Sequence, residues 1–182
     1  SVLRAEIEAV SQEIRRICED LSPSVLENVG FAAALEFALS TGLAHLPGDC
    51  KLSYEFACDE GLDERLSFQP AVQMQVYRIV QEAVSNVCRH AQATRVRLDV
   101  RLDAAGDFVL TLEDDGRGFD AGNKKALRGR GISGIRARAN LIDADAAWRR
   151  RPDAEGGGTA FTLRKADAVK SREPLKAATR ES

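Results

Sequence analysis

Leu3, Ile7, Val10, Ile14, Ile17 and Leu21 recur at intervals of 4, 3, 4, 3 and 4 residues, the spacing of a helix that lays an apolar seam along a second helix. Arg4, Glu6, Glu8, Glu13, Arg15, Arg16 and Glu19 fall between them on the solvated side. The pattern fits either a dimer contact or an amphipathic helix lying on its own domain, and we favour the dimer contact. Ser22-Pro23 stops it. A second helical pattern runs from about Leu26 to Leu46, with Phe31, Leu35, Leu39 and Leu43 as its apolar face and Pro47-Gly48 at its end. Residues 51–57 alternate, setting Leu52, Tyr54 and Phe56 against Lys51, Ser53 and Glu55, as in a half-buried strand. Pro70 opens a third helix, to about residue 91. Val76, Ile79, Val80, Ala83, Val84 and Val87 share one face of it; Gln75, Glu82, Asn86 and Arg89 share the other, with His90 at the edge.

Strict alternation returns from Arg95 to Leu102, with Val96, Leu98, Val100 and Leu102 facing inward. The link Asp103-Ala104-Ala105-Gly106-Asp107 turns the chain back into Phe108–Leu112, a buried-strand composition that ends in Asp114. Residues 121–128 are polar and unpatterned, as in a short lid. Gly129-Arg130-Gly131-Ile132-Ser133-Gly134 opens a helix that continues through Ile135, Ala139 and Ile142. A hairpin of about Ala146–Arg150 and Gly158–Arg164 follows, and the charged stretch 166–182 reads as a frayed tail.

Composition narrows the class. The chain has 182 residues, 44% of them hydrophobic and 30% charged, which suits one soluble domain with a short appendage. Its 26 basic and 28 acidic residues leave a net charge of −2, so nothing in the balance calls for nucleic acid or an anionic membrane. Cys18, Cys50, Cys58 and Cys88 form no C-x-x-C pair, which fits a reducing cytosol better than a disulfide framework or a zinc site. There is no signal peptide and no apolar run near the roughly 20 residues that span a bilayer. A cytoplasmic location is expected, and an opening in mid-pattern at Ser1 suggests a piece of a longer protein.

Candidate chemistry clusters in three places. Asp114-Asp115-Gly116-Arg117-Gly118 puts carboxylates and glycines at a strand end, where a flat ligand can approach the backbone; Asp-Gly is equally a common turn. Asn86 is a weak helix former in mid-helix, and service as an oxygen ligand to Mg²⁺ would account for it. Gly129–Gly134 spells G-x-G-x-x-G, but no strand precedes it, so the dinucleotide reading fails. What remains is a glycine-rich helix N-terminus that exposes N–H groups to phosphate, with Lys124, Lys125, Arg128 and Arg130 nearby.

In order, these segments resemble four nucleotide-binding boxes of the catalytic domain of sensor histidine kinases, the Bergerat-type fold shared with gyrase, heat-shock-90 and mismatch-repair ATPases. Gln81–Ala91 resembles the N box, Asp114–Phe119 the D-x-G-x-G box, Gly129–Arg136 the second glycine box and Gly156–Thr159 the terminal G-x-G-T. The resemblance implies an α+β, two-layer sandwich: a mixed, mostly antiparallel sheet covered by helices on one face. It divides the chain into a dimerisation-helix portion (1–25), a catalytic domain (26–165) and a disordered tail (166–182), and the wording points to the nitrate- and membrane-fluidity-type sensors. It implies ATP and Mg²⁺ as cofactors, a homodimer through the upstream helices, and a response-regulator receiver domain as partner. By residue, it places Asp114 on the adenine amino group and lets Gly116 and Gly118 admit the ring. Asn86 holds Mg²⁺, and Arg89, His90 and the segment Gly129, Gly131, Ile132 and Gly134 meet phosphate. Thr159 supports the adenine pocket. Glu82 stands where related ATPases place a base, and polarising a metal-bound water is an equal role. His45 and His90 are the only histidines, and neither has the His-Asp context of a phosphoacceptor, so the acceptor is expected elsewhere. A nucleotide-sensing module, or an ATPase or anti-sigma-type serine kinase of the same fold, is the alternative.

Overall fold

The structure, a computed structural model, describes residues 26, 29–44, 52–118, 130–152 and 155–169. The seam at 3–21, His45, the expected lid and Gly129 lie outside the described residues. The elements are α1 (Phe31–Ala44), β1 (Ser53–Cys58), α2 (Leu62–Arg65), α3 (Pro70–His90), β2 (Arg95–Leu102), β3 (Phe108–Asp114), α4 (Arg130–Leu141), β4 (Ala144–Arg150) and β5 (Thr159–Lys165). The five strands form one sheet in the order β1-β2-β3-β5-β4. β1 runs parallel to β2, and every other pairing is antiparallel. This is the mixed sheet with one helical layer that the sequence predicts.

The alternation in β2 decides which face is inside. Val96, Leu98, Val100 and Leu102 are buried and stand opposite Asp114, Leu112, Leu110 and Phe108 of β3. The row continues through Phe161 of β5 and Trp148 of β4, whose rings are 4.9 Å apart. Val76, Ile79, Val80, Ala83, Val84 and Val87 of α3 and Phe31, Leu35, Leu39 and Leu43 of α1 close over this face. At the end where β3 begins, Phe31, Phe68 and Phe108 form a triangle with centroids 5.1 to 6.1 Å apart. The opposite sheet face carries ion pairs such as Arg97–Glu55 at 3.2 Å and Arg149–Glu113 at 3.6 Å, exposed enough to act mainly as a solvated coat.

Four details differ from the sequence pattern. The helix expected from Leu26 is interrupted at Gly30, at φ 90, and α1 starts at Phe31 because Asp63 of the unforeseen α2 accepts the N–H groups of Phe31 (2.9 Å) and Ala32 (3.0 Å). This is an N-cap supplied from 31 and 32 residues downstream rather than by the local sequence. Tyr54, expected inward, is 46% exposed, because β1 is an edge strand and its first residues lie beyond the helical cover. Gln75 is not part of an open stripe but accepts from Arg138 of α4 at 3.2 Å. The tail expected to fray from 166 stays packed through Val169: Ala168 is fully buried, its carbonyl accepts the Ser67 N–H at 2.9 Å, and Val169 bridges Leu66. Residues 170–182 lie outside the described residues.

Asp63→Ala removes both cap bonds at once and is expected to cost about 1 kcal/mol, read as a fall of roughly 2–4 °C in the thermal midpoint; Asp63→Asn should lose less.

Candidate functional site

The end of β3 meets the end of α3, and the junction is made by contacts with almost no clearance. A Cβ on Gly116 would collide with the carbonyl of Ala91, the residue just past α3, and the same carbonyl accepts the Arg117 N–H at 2.9 Å. Asp115, the second carboxylate of the Asp114–Gly118 run, fastens the start of β2. Its carboxylate accepts from the Thr94 N–H (2.7 Å), the Thr94 hydroxyl (2.6 Å) and the Arg95 N–H (2.9 Å). Burial works to raise the Asp115 carboxyl, but these hydrogen bonds outweigh it and hold it below the usual carboxylate range.

Asp114 behaves in the opposite sense. It is 4% exposed, and among the described residues it is the one charged side chain in the core. Its Oδ1 accepts from the Gly116 N–H at 2.9 Å and the Thr159 N–H at 3.3 Å. Burial raises its carboxyl above the ordinary range; the Gly116 and Thr159 hydrogen bonds oppose the rise, and the charge of Asp115 adds to it. Gly158 presses on the Asp114 carbonyl, where a Cβ would clash, and holds φ 86, so glycine is required there on both counts. Gly118, at φ 81, lies against the Gly158 carbonyl and the stem of Arg150.

The polar side of α3 forms the second wall. A Cβ on Gly131, in the first turn of α4, would lie 2.6 Å from Asn86 Oδ1 and 2.6 Å from Glu82 Oε1. Two oxygen donors one turn apart on α3 thus converge on the N-terminus of α4. Gly134, on the same side of α4, faces open space. Ile132 is partly buried, and Arg89 and His90 are exposed in the last turn of α3, where basic side chains suit the helix dipole. Among the described residues no group of three His, Cys, Asp or Glu side chains could hold a metal ion alone. The Glu82 and Asn86 oxygens converging beside Gly131 could hold a hard cation such as Mg²⁺ that takes its other oxygens from water or phosphate. Cys58, pushed up to about 11 by burial and then by Asp63, Asp59 and Asp99, and Cys88, raised by burial, are poor thiolates, as expected of core cysteines.

Of the residues predicted from sequence, Glu82, Asn86 and Gly131 meet at one point; Asp114, Gly116, Gly118 and Thr159 meet at another. Pattern reading misses Arg151. Its Nη1 donates to the Asp114 carbonyl (3.1 Å), its Nη2 to the Glu155 carbonyl (2.7 Å), and its backbone N–H to the Gly158 carbonyl (2.9 Å). The only hint is the run Arg149-Arg150-Arg151 ahead of the terminal glycines.

Residues 71–168 match the family of histidine kinase-, DNA gyrase B- and HSP90-like ATPases, more than half of the chain. The chain belongs to this ATPase family. Among curated relatives, the sensor histidine kinase MctS of Rhizobium johnstonii is 33% identical over 132 residues, 69% of this chain and 25% of that protein. The sensor histidine kinase ComP of Bacillus subtilis is 33% identical over 131 residues, 71% of this chain and 16% of that protein. The chain therefore spans a quarter or less of the length of these two. Among solved structures, the ATP-binding domain of PrrB from Mycobacterium tuberculosis superposes with a TM-score of 0.59 at 21% identity, covering 77% of this chain and 94% of that one. The mostly antiparallel five-stranded sheet is thus the histidine-kinase ATPase fold. Among the described residues no helix is long and apolar enough to cross a membrane.

Because Asp114 holds its proton more tightly in the fold than in the unfolded chain, the cost of ionising it is absent below the unfolded value and grows as pH rises toward the folded one. Asp114→Asn, which keeps an oxygen for Gly116 and Thr159, is therefore expected to melt at or above the wild-type temperature at about pH 7. The difference should shrink toward about pH 3, measured by thermal unfolding across pH.

Proposed function

We propose that this chain is the nucleotide-binding catalytic part of a sensor histidine kinase, which binds Mg·ATP and delivers the γ-phosphoryl group to a histidine outside the described residues. The observation that carries the reading is Asp114: a carboxylate in the core, carrying a desolvation cost, at a strand end where glycines keep the backbone bare. A buried acceptor of this kind is suited to a planar ligand with a hydrogen-bond donor, as adenine is through its amino group. The ATPase family and the relatives named as sensor histidine kinases support the same conclusion.

Asp114 accepts the adenine amino hydrogen, Thr159 and the Gly116 N–H hold that carboxylate still, and Gly116 and Gly118 leave room for the ring. Asn86 supplies an oxygen to Mg²⁺, with Glu82 either a second oxygen donor or the group that polarises a metal-bound water. Mg²⁺ held there would supply positive charge against the phosphates, the chemistry that phosphoryl transfer needs. Arg89, His90 and the N–H groups from Gly129 through Gly131 and Ile132 to Gly134 meet the phosphates. In the transfer the bond from the γ-phosphorus to the ADP oxygen breaks as a bond to an imidazole nitrogen forms. Protein catalysis here is positioning and charge neutralisation. Residues 1–25 supply the dimer contact beside the phosphoacceptor helix, 26–165 the catalytic domain, and a response-regulator receiver domain takes the phosphoryl group next. A cytoplasmic location, as a separate protein or as the cytoplasmic part of a membrane-anchored sensor, belongs to the same proposal.

Titration of the chain with ATP, with and without magnesium, tests the site. Asn86→Ala is expected to weaken Mg·ATP about ten-fold or more while changing metal-free ATP little. Gly131→Ala, which pushes a methyl against Glu82 and Asn86, should do the same without loss of stability, since alanine favours the helix. Unchanged Mg·ATP affinity in both would remove the metal site from α3.

Phosphotransfer is tested separately. Incubated alone with Mg·ATP the chain should gain no acid-labile phosphate; with a helical segment carrying a phosphoacceptor histidine it should label that histidine. Tight ATP binding with no labelled histidine would make it a nucleotide-sensing module instead.

A further inference from the structure

We infer that Arg151 and Asp115 are positioning residues for adenine recognition, clamping the peptide that joins Asp114 to Asp115 from two sides; the inference rests on Asp114 being the adenine acceptor. The clamp is asymmetric. From the β4 side, Arg151 donates to the Asp114 carbonyl at 3.1 Å and to the Glu155 carbonyl at 2.7 Å, while its Nε, buried with no hydrogen-bond partner among the described residues, faces Glu113 at 3.7 Å. Its own N–H, on the Gly158 carbonyl at 2.9 Å, ties the terminal glycine loop to the same point. From the β2 side, the Asp115 carboxylate takes three donors from Thr94 and Arg95.

Neither side chain needs to touch the ligand. Each fixes backbone immediately next to Asp114, whose carboxylate can read a donor only if it is held to a fraction of an ångström. Asp114 also carries a desolvation cost, so a loosened backbone would let its carboxylate swing toward water and leave the pocket. The terminal loop is held by the same arginine, so Thr159, which donates to Asp114, moves with it. Lysine could restore charge opposite Glu113 but not the two-pronged donation to two carbonyls.

The test measures dissociation constants for Mg·ATP and Mg·GTP by calorimetry on the full chain, with the folded fraction of each variant set by circular dichroism. Arg151→Ala and Asp115→Ala are each expected to weaken ATP about ten-fold with little change for GTP, so that the preference for ATP falls. Arg151→Lys should recover melting temperature but not the preference. Asp115→Asn, whose amide oxygen can still accept from Thr94 and Arg95, should recover most of both. If Arg151→Ala does not fold, Arg151→Lys and Asp115→Ala decide the matter alone. A wild-type ATP-to-GTP preference in folded Arg151→Ala, Arg151→Lys and Asp115→Ala, with Asp114→Asn still defective, overturns the clamp and leaves the pocket standing. An unchanged preference in Asp114→Asn itself overturns the reading beneath it.

Discussion

Ala91 is the hinge on which the site is built. Its carbonyl lies so close to Gly116 that no side chain fits between them, and it also accepts the Arg117 N–H. The residue that ends the helix bearing Glu82 and Asn86 is therefore in direct contact with the loop bearing Asp114. A rigid helix of 21 residues on one side and a paired strand on the other leave little freedom in the separation of the two walls. A ligand spanning both, with a base at one end and a charged tail at the other, meets a distance set by covalent geometry and packing rather than by flexible side chains. This is what preorganisation requires of a site whose chemistry is mainly placement.

Much of the fold is legible in the sequence because its patterns are local and strong. The strict alternation of β2, the apolar face of α3 and the turn at 103–107 each specify their element, and the Asp103 carboxylate accepts the Ala105 and Asp107 N–H groups as an Asp in a tight turn should. What escapes is set by distant residues. The start of α1 depends on Asp63, 32 residues further along the chain and beyond β1, and no window around Gly30 contains that information. Tyr54 has the right phase for the core but sits on an edge strand, a property of sheet order and not of the residue. Four-residue α2 is too short for any periodicity to declare.

The site divides in the same way. Residue types that are costly out of context, an aspartate at the end of an apolar strand or an asparagine in mid-helix, stand out from a bare sequence. Supporting residues do not. Arg151 in a run of three arginines, and Asp115 beside the aspartate that draws attention, look like ordinary solvated charges until the sheet register brings Thr94, Gly158 and the Asp114 carbonyl to them.

The aromatic triangle of Phe31, Phe68 and Phe108 gives the architecture a polarity. Phe108 opens β3 and Asp114 closes it, so the aromatic anchor and the buried carboxylate sit at opposite ends of one strand, roughly 20 Å apart. Local opening is favoured where apolar packing is thin and glycines cluster, and global unfolding governs the densely packed end. Substitutions that retune the binding end are thereby insulated from the part of the molecule that keeps it folded. The sheet can drift in ligand preference or regulation while its core stays constant, a form of evolvability written into the direction of a single strand.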